Sequence, residues 1–295
     1  MVYKNDTCHI KYGTKVMIEQ ILSNLQLGKD GIYSYDFNNS EQNDEIELRE
    51  SVASHHYENY LETLSYYHSI KVMDKEIDLF IKNIPINGMI LDVGGCWGWH
   101  WRRINDTRPD ITVFILDFVR KNLINAKAIL GNCLNNNIFL IHGDGTSLKF
   151  EENTFDGWWS VQTLQHIQNF KKVVSEAWRV LKPQGTFANY SLNNPALIKL
   201  IYLTMGKHYH IKGNIPGQFY LERASHQQLE QIEEIFSNKC KKRYSEIIFT
   251  PDLKIKFPGR KNSIVGKIDS YLSMNIPLFS WIARQQSFHT SKINS

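Results

Sequence analysis

Ile90-Leu91-Asp92-Val93-Gly94-Gly95-Cys96-Trp97-Gly98-Trp99 decides the fold. An apolar run closes on an acid and then breaks into glycines, the pattern of a buried strand turning into a helix. Small residues at such a turn let a ligand approach the backbone closely. A dinucleotide loop would need G-x-G-x-x-G to bring a pyrophosphate to the helix N-terminus. Counted from Gly94, that template meets Cys96 and Trp99 where glycines are required.

On either side of this turn, short apolar runs alternate with amphipathic segments, which is how βαβ units read. Strands are expected at Met89–Val93, Thr112–Leu116, Ile138–Ile141, Gly157–Ser160 and Gly185–Tyr190. Two more, near Tyr244–Phe249 and Phe279–Ala283, would make seven. A helix ending at Pro85 precedes the first strand and carries Val72, Ile77, Phe80 and Ile81. Over Asn169–Leu181 the residues Phe170, Val173, Val174, Ala177 and Leu181 fall on one helical face. Helices are also expected from Pro195 to Met205 and from Ser225 to Phe236, where Ser225 and Gln228 resemble a capping box. The fold class that follows is α/β and Rossmann-like, with a predominantly parallel seven-stranded sheet, helices on both faces and an N-terminal helical extension.

Residues 1–70 read as that extension and a possible lid, with a loop over Asp30–Asp44 and a ring-rich helix over His55–Ile70. Residues 71–250 form the main domain, with an irregular insertion near 205–223; the basic segment 251–295 is expected to complete the sheet.

The chain has 295 residues, 42% hydrophobic and 22% charged, so it is long enough for one α/β core with additions. Residues Met1–Gly13 lack the apolar run of a secretion signal, and no stretch suits a membrane span, so the default compartment is cytoplasmic. Cys8, Cys96, Cys133 and Cys240 have no paired spacing, so neither disulfides nor a metal site is expected. The formal charge is +4. Nine Lys or Arg residues lie between Lys239 and Lys267, and five acids lie between Glu41 and Glu50; both clusters read as solvated surface.

Four segments in order resemble class I S-adenosylmethionine-dependent methyltransferases of the small-molecule type. The first is the loop itself, whose Asp92, Gly94 and Gly98 match an acid followed by Gly-x-Gly-x-Gly. Cys96 replaces the middle glycine and Gly95 stands one place early. The second is Asp117 with Phe118, after the second strand, and the third is His142-Gly143-Asp144-Gly145-Thr146. The fourth runs from Phe155 and Asp156 through Ser160-Val161-Gln162 to Leu164-Gln165-His166, followed by the structural turn Glu176 to Phe187.

The resemblance implies S-adenosylmethionine as cofactor, bound by Asp92, Gly94, Gly95, Cys96, Trp97, Gly98, Asp117, Phe118, Asp144, Gly145, Thr146, Ser160, Val161 and Gln162. It places Asp117 on the ribose hydroxyls, Asp144 on the adenine, Trp97 as a wall, and Ser160–Gln162 along the methionine end. His166 is the candidate general base for a hydroxyl acceptor. Tyr66, Tyr67, His210, Tyr220 and Arg223 are candidate substrate residues, suited to a sugar, glycan precursor or other hydroxylated metabolite.

The partner expected is therefore a small-molecule acceptor. No nucleic acid is expected, because the Asn-Pro-Pro-Tyr-like tetrad of many base-methylating enzymes is here Ser160-Val161-Gln162-Thr163. A nucleic-acid methyltransferase, a non-catalytic binding protein and a nicotinamide-dependent dehydrogenase are the competing readings. Peripheral membrane contact is expected, if anywhere, near Ile276, Leu278, Phe279 and Trp281.

Overall fold

The computed structural model describes residues 12–37, 50–51, 69–215, 219–246 and 282–293, with isolated positions between 264 and 272. In chain order the elements are α1 (Tyr12–Ser23), β1 (Gln26–Leu27), β2 (Tyr33–Ser34), α2 (Ser69–Ile81), β3 (Met89–Val93), α3 (Ile104–Thr107), β4 (Thr112–Asp117), α4 (Arg120–Leu130) and β5 (Ile138–His142). They continue with β6 (Phe155–Val161), α5 (Phe170–Val180), β7 (Leu181–Leu192), α6 (Ala196–Thr204), β8 (Lys212–Asn214), β9 (Tyr220–Glu222), α7 (His226–Phe236), β10 (Lys241–Ser245) and β11 (Gln285–Ser291).

One sheet runs β1-β2-β5-β4-β3-β6-β7-β11-β10, parallel from β2 to β7, with β1 and β11 antiparallel to their neighbours. It has nine strands rather than the seven expected. The additional pair, β1 and β2, comes from the N-terminal extension: Tyr33 pairs with Ile141 and Ser34 with His142 inside the stretch expected to be loop. Two-residue strands carry no period a sequence could display. Among the described residues the last two strands span Lys241–Ser245 and Gln285–Ser291; the strands expected near Tyr244–Phe249 and Phe279–Ala283 lie partly outside the described residues.

The alternation of side chains along each central strand divides the core into two layers. Leu91, Phe114, Leu116 and Trp158 pack with Phe170, Val173, Ala177, Ile232 and Phe236 from α5 and α7. Ile90, Val113, Ile115 and Trp159 pack on the other side with Met73, Ile77, Phe80, Leu123 and Ala126 from α2 and α4. Both faces are therefore covered, as parallel strands require. Asn169 caps α5 by accepting from Lys172 N at 3.1 Å, and Ser225 caps α7 by accepting from Gln228 N at 3.2 Å.

The strand order reverses at β3, with β4 on one side and β6 on the other. In open α/β sheets this switch point leaves a crevice at the carboxyl ends of the strands.

Candidate functional site

A cavity of about 280 Å³ lies at that switch point. This is near the lower end of the roughly 300 to 1,000 Å³ usual for small-molecule pockets. Its wall contains Gly94, Cys96, Asp117, Phe118, Asp144, Gly145, Val161, Gln162 and His166, drawn from four separate strand ends.

The glycine loop forms one side. Gly94 has φ 72° and donates to Leu116 O at 2.7 Å. A Cβ on Gly94 would stand 2.1 Å from Thr163 Cγ2, so this position has no room for a side chain. Cys96 adopts φ 50°, a left-handed conformation costing a non-glycine residue about 1 to 2 kcal/mol. The missing middle glycine thus has a conformational meaning: the cysteine takes up the backbone shape that glycine would adopt freely. Its amide donates to Asp117 Oδ2 at 2.9 Å, which ties the loop to the next strand.

Asp117 also accepts from Val119 N at 2.8 Å and from Asn122 Nδ2 at 3.3 Å. Asn122 in turn accepts from Trp97 Nε1 at 3.1 Å. Asp144 is engaged by its own turn, its two oxygens accepting from Thr146 N at 2.8 Å and Thr146 Oγ1 at 2.7 Å. Behind it, Tyr35 of the N-terminal extension donates its hydroxyl to Asp144 O at 2.9 Å, and its ring fills the space beside Gly143.

Six residues expected at the site do not line the cavity. Gly95 and Gly98 permit packing instead, since a Cβ would press on Asp92 and Ile115 at the first and on Leu130 and Ile115 at the second. Trp97 is buried behind the loop. Thr146 holds Asp144 from within its turn. Ser160 is fully buried and donates to Val93 O at 2.9 Å, because its neighbour Val161 takes the alternate direction into the cavity.

Asp92 is buried with Trp101 Nε1 donating to Oδ2 at 2.7 Å, and burial pushes its pKa up to about 7, with the charge of Asp117 acting in the same sense.

The other end of the cavity is built around His166. Its Nδ1 lies 2.7 Å from Tyr220 O, an acceptor, so Nδ1 carries the proton. Gln165 accepts Leu192 N at 2.7 Å through Oε1, which turns its amide nitrogen onto His166 Nε2 at 3.1 Å. The neutral ring therefore has its lone pair already engaged.

Of the candidate substrate residues, Tyr66 and Tyr67 lie outside the described residues. The other three are turned to structural work. Arg223 donates to His210 O at 2.9 Å and Asn193 O at 3.0 Å, and His210 Nε2 meets Gly213 O at 3.0 Å. The Tyr220 hydroxyl donates to Glu222 at 2.9 Å, and burial, with that carboxylate beside it, pushes its pKa up to about 12.

The lining residues that sequence reasoning missed are Val93, Leu116, Asn122, Gly143, Thr163 and Ile167. Gly143, Thr163 and Ile167 each adjoin a residue that was read, so spacing alone carried a signal for them. Asn122 lies one helical turn into α4 and carried none.

Residues 91–189 match the family described as "Methyltransferase domain". The chain is 33% identical over 100 residues to sterol 24-C-methyltransferase of Saccharomyces cerevisiae, covering 31% of this chain and 24% of that one. It is 36% identical over 102 residues to malonyl-[acyl-carrier protein] O-methyltransferase of Buchnera aphidicola, covering 34% and 37%. The match therefore spans about a quarter to a third of these relatives' own length. Among solved structures, the methyltransferase in complex with the Haloferax volcanii Trm112 activator superposes with a TM-score of 0.56 at 14% identity, covering 83% of this chain and 97% of that one. That likeness is one of fold.

Proposed function

With residues 91–189 matching the family described as "Methyltransferase domain", we propose that the chain is a class I S-adenosylmethionine-dependent methyltransferase that transfers a methyl group to a small-molecule acceptor. The observation that carries the reading is Asp117, an acid at the carboxyl end of β4 that faces the cavity while its backbone donors hold it rigid. A carboxylate so placed can accept two ribose hydroxyls, and the close backbone at Gly143 and Gly145 supports an adenine at the neighbouring strand end.

S-adenosylmethionine supplies an electrophilic methyl group, so the protein's part is alignment and exclusion of water. Val161, Gln162 and Ile167 would border the transfer path. His166 would take a proton from a hydroxyl acceptor only after the Gln165 amide left Nε2. This weighs against an acceptor that needs a base and favours one carrying its own nucleophile, such as a carboxylate.

The acceptor class is thereby wider than a sugar or metabolite hydroxyl. The relatives' names specify a sterol carbon and an oxygen of malonyl-[acyl-carrier protein], and His210, Tyr220 and Arg223, the polar residues that favoured a sugar, are engaged elsewhere. An acceptor with a largely apolar body is the reading we carry forward.

Calorimetric titration with S-adenosylmethionine, run against a nicotinamide dinucleotide, tests the cofactor. Micromolar binding weakened by about 1.5 to 3 kcal/mol in Asp117→Ala is expected for hydrogen bonds lost to an ionised group. Absence of binding, or tighter binding of the dinucleotide, overturns the proposal.

A further inference from the structure

Soluble helices turn their apolar stripe inward. α6, with the sequence Ala-Leu-Ile-Lys-Leu-Ile-Tyr-Leu-Thr, does so only in part: Ile198 is buried and Leu197, Ile201 and Tyr202 are half-buried, while Leu200 is 55% exposed and Leu203 74% exposed. Met205, just past its end, is 54% exposed. An apolar patch of this kind on the surface of one chain marks a contact with something else.

The charge around the helix narrows what that is. From Asn193 to Ile215 the sequence contains no Asp or Glu, while Lys199 and Lys207 are present; Lys212 is paired with Glu222 at 3.1 Å. Self-association through α6 would bring Lys199 and Lys207 of two copies together. A bilayer bearing anionic headgroups would instead accept the leucines in its acyl boundary and the lysines at its surface.

The helix also stands at the carboxyl end of the strands, on the side of the cavity. β7 ends at Leu192, whose amide is held by Gln165 beside the cavity residue His166. Arg223 fastens Asn193 and His210 and lies 4.5 Å from the centre of the Tyr209 ring; Tyr209 packs on Tyr202 of α6. Tyr220, three residues before Arg223, holds His166 through its carbonyl.

We propose that α6 and the turn Met205–His208 form a shallow docking surface for an anionic lipid bilayer, keeping the acceptor side of the cavity toward the membrane. This goes beyond the methyltransferase reading and stands without it. The consequence that an acceptor could enter from the bilayer rests on that reading.

The test uses the full chain without cofactor or acceptor, sedimented with vesicles of phosphatidylcholine mixed with phosphatidylglycerol. The expected result is co-sedimentation that falls in pure phosphatidylcholine and at high salt. The Leu200→Ser/Leu203→Ser double variant should bind at least about tenfold more weakly. Leu27→Ser, at an equally exposed leucine on the far edge of the sheet, should bind like the parent. In Leu203→Trp, indole fluorescence should shift to the blue on adding the same vesicles. A parent that stays in the supernatant overturns the proposal, as does a double variant that sediments with it. Concentration-dependent self-association without vesicle binding, abolished by the double variant, would assign α6 to a second copy instead.

Discussion

Asp92 and Asp117 stand at the carboxyl ends of adjacent parallel strands, and in the sequence they look alike. Their surroundings separate them. Asp117 accepts three N–H donors, from Cys96, Val119 and Asn122, and faces the cavity. Asp92 is buried against Trp101, and its pKa is pushed up to about 7. Burial with one indole partner favours the proton on Asp92. An acid closing a strand is thus a signal of position; what its oxygens meet decides its chemistry.

The contrast can be broken most severely through pH. The Asp92 pKa in the folded chain is about 7 against the ordinary 3.8 of an aspartate. Between those values the folded state holds a proton that the unfolded state has released. This contribution is full below about pH 4, declines as pH rises and is gone above about pH 7. Thermal melts should therefore lose on the order of a few kcal/mol of stability across that window, and Asp92→Asn should flatten the curve. The same variant should keep S-adenosylmethionine affinity within about threefold, less than the loss expected for a direct ligand. If Asp92→Asn abolishes binding as Asp117→Ala does, the two acids share one role and the distinction fails.

Trp101→Phe sharpens the comparison from the buried side. It removes a 2.7 Å donor to the charged form, so the upper end of the pH window should move above 7. The accompanying stability loss, read from urea midpoints near neutral pH, should be about 1 to 2 kcal/mol.

Asn122→Ala probes the cavity side most gently. It removes the 3.3 Å bond to Asp117 and the acceptor of Trp97 Nε1. A stability loss of about 1 kcal/mol and a few-fold weaker cofactor binding are expected. An unchanged binding isotherm would show that Asp117 is held well enough by Cys96 and Val119 alone.

The centre of the sheet was legible because its five parallel strands are buried on both faces and so read as near-continuous apolar runs. The edges were not. β11 reads Gln-Gln-Ser-Phe-His-Thr-Ser, yet Gln285, Ser287 and Phe288 are all buried, with Gln285 accepting from Ser245 Oγ at 2.9 Å. A strand that pairs buried polar groups across a sheet has no hydrophobic alternation to reveal it.

At the site, the glycine loop, Asp117 and the turn at Asp144 were locally encoded in the sequence. The error at Ser160 was avoidable, since strand alternation sends it and Val161 opposite ways. The engagement of Arg223 and His210 was invisible, because their partners are main-chain carbonyls brought in by tertiary structure.

β11 lies between β7 and β10, and among the described residues β10 pairs only with β11. During synthesis β10 therefore leaves the ribosome with no template to join, and waits until residues 285–291 follow it out. A premature stop ahead of residue 285 would remove one strand and strand another, exposing the β7 edge to pairing with other nascent chains.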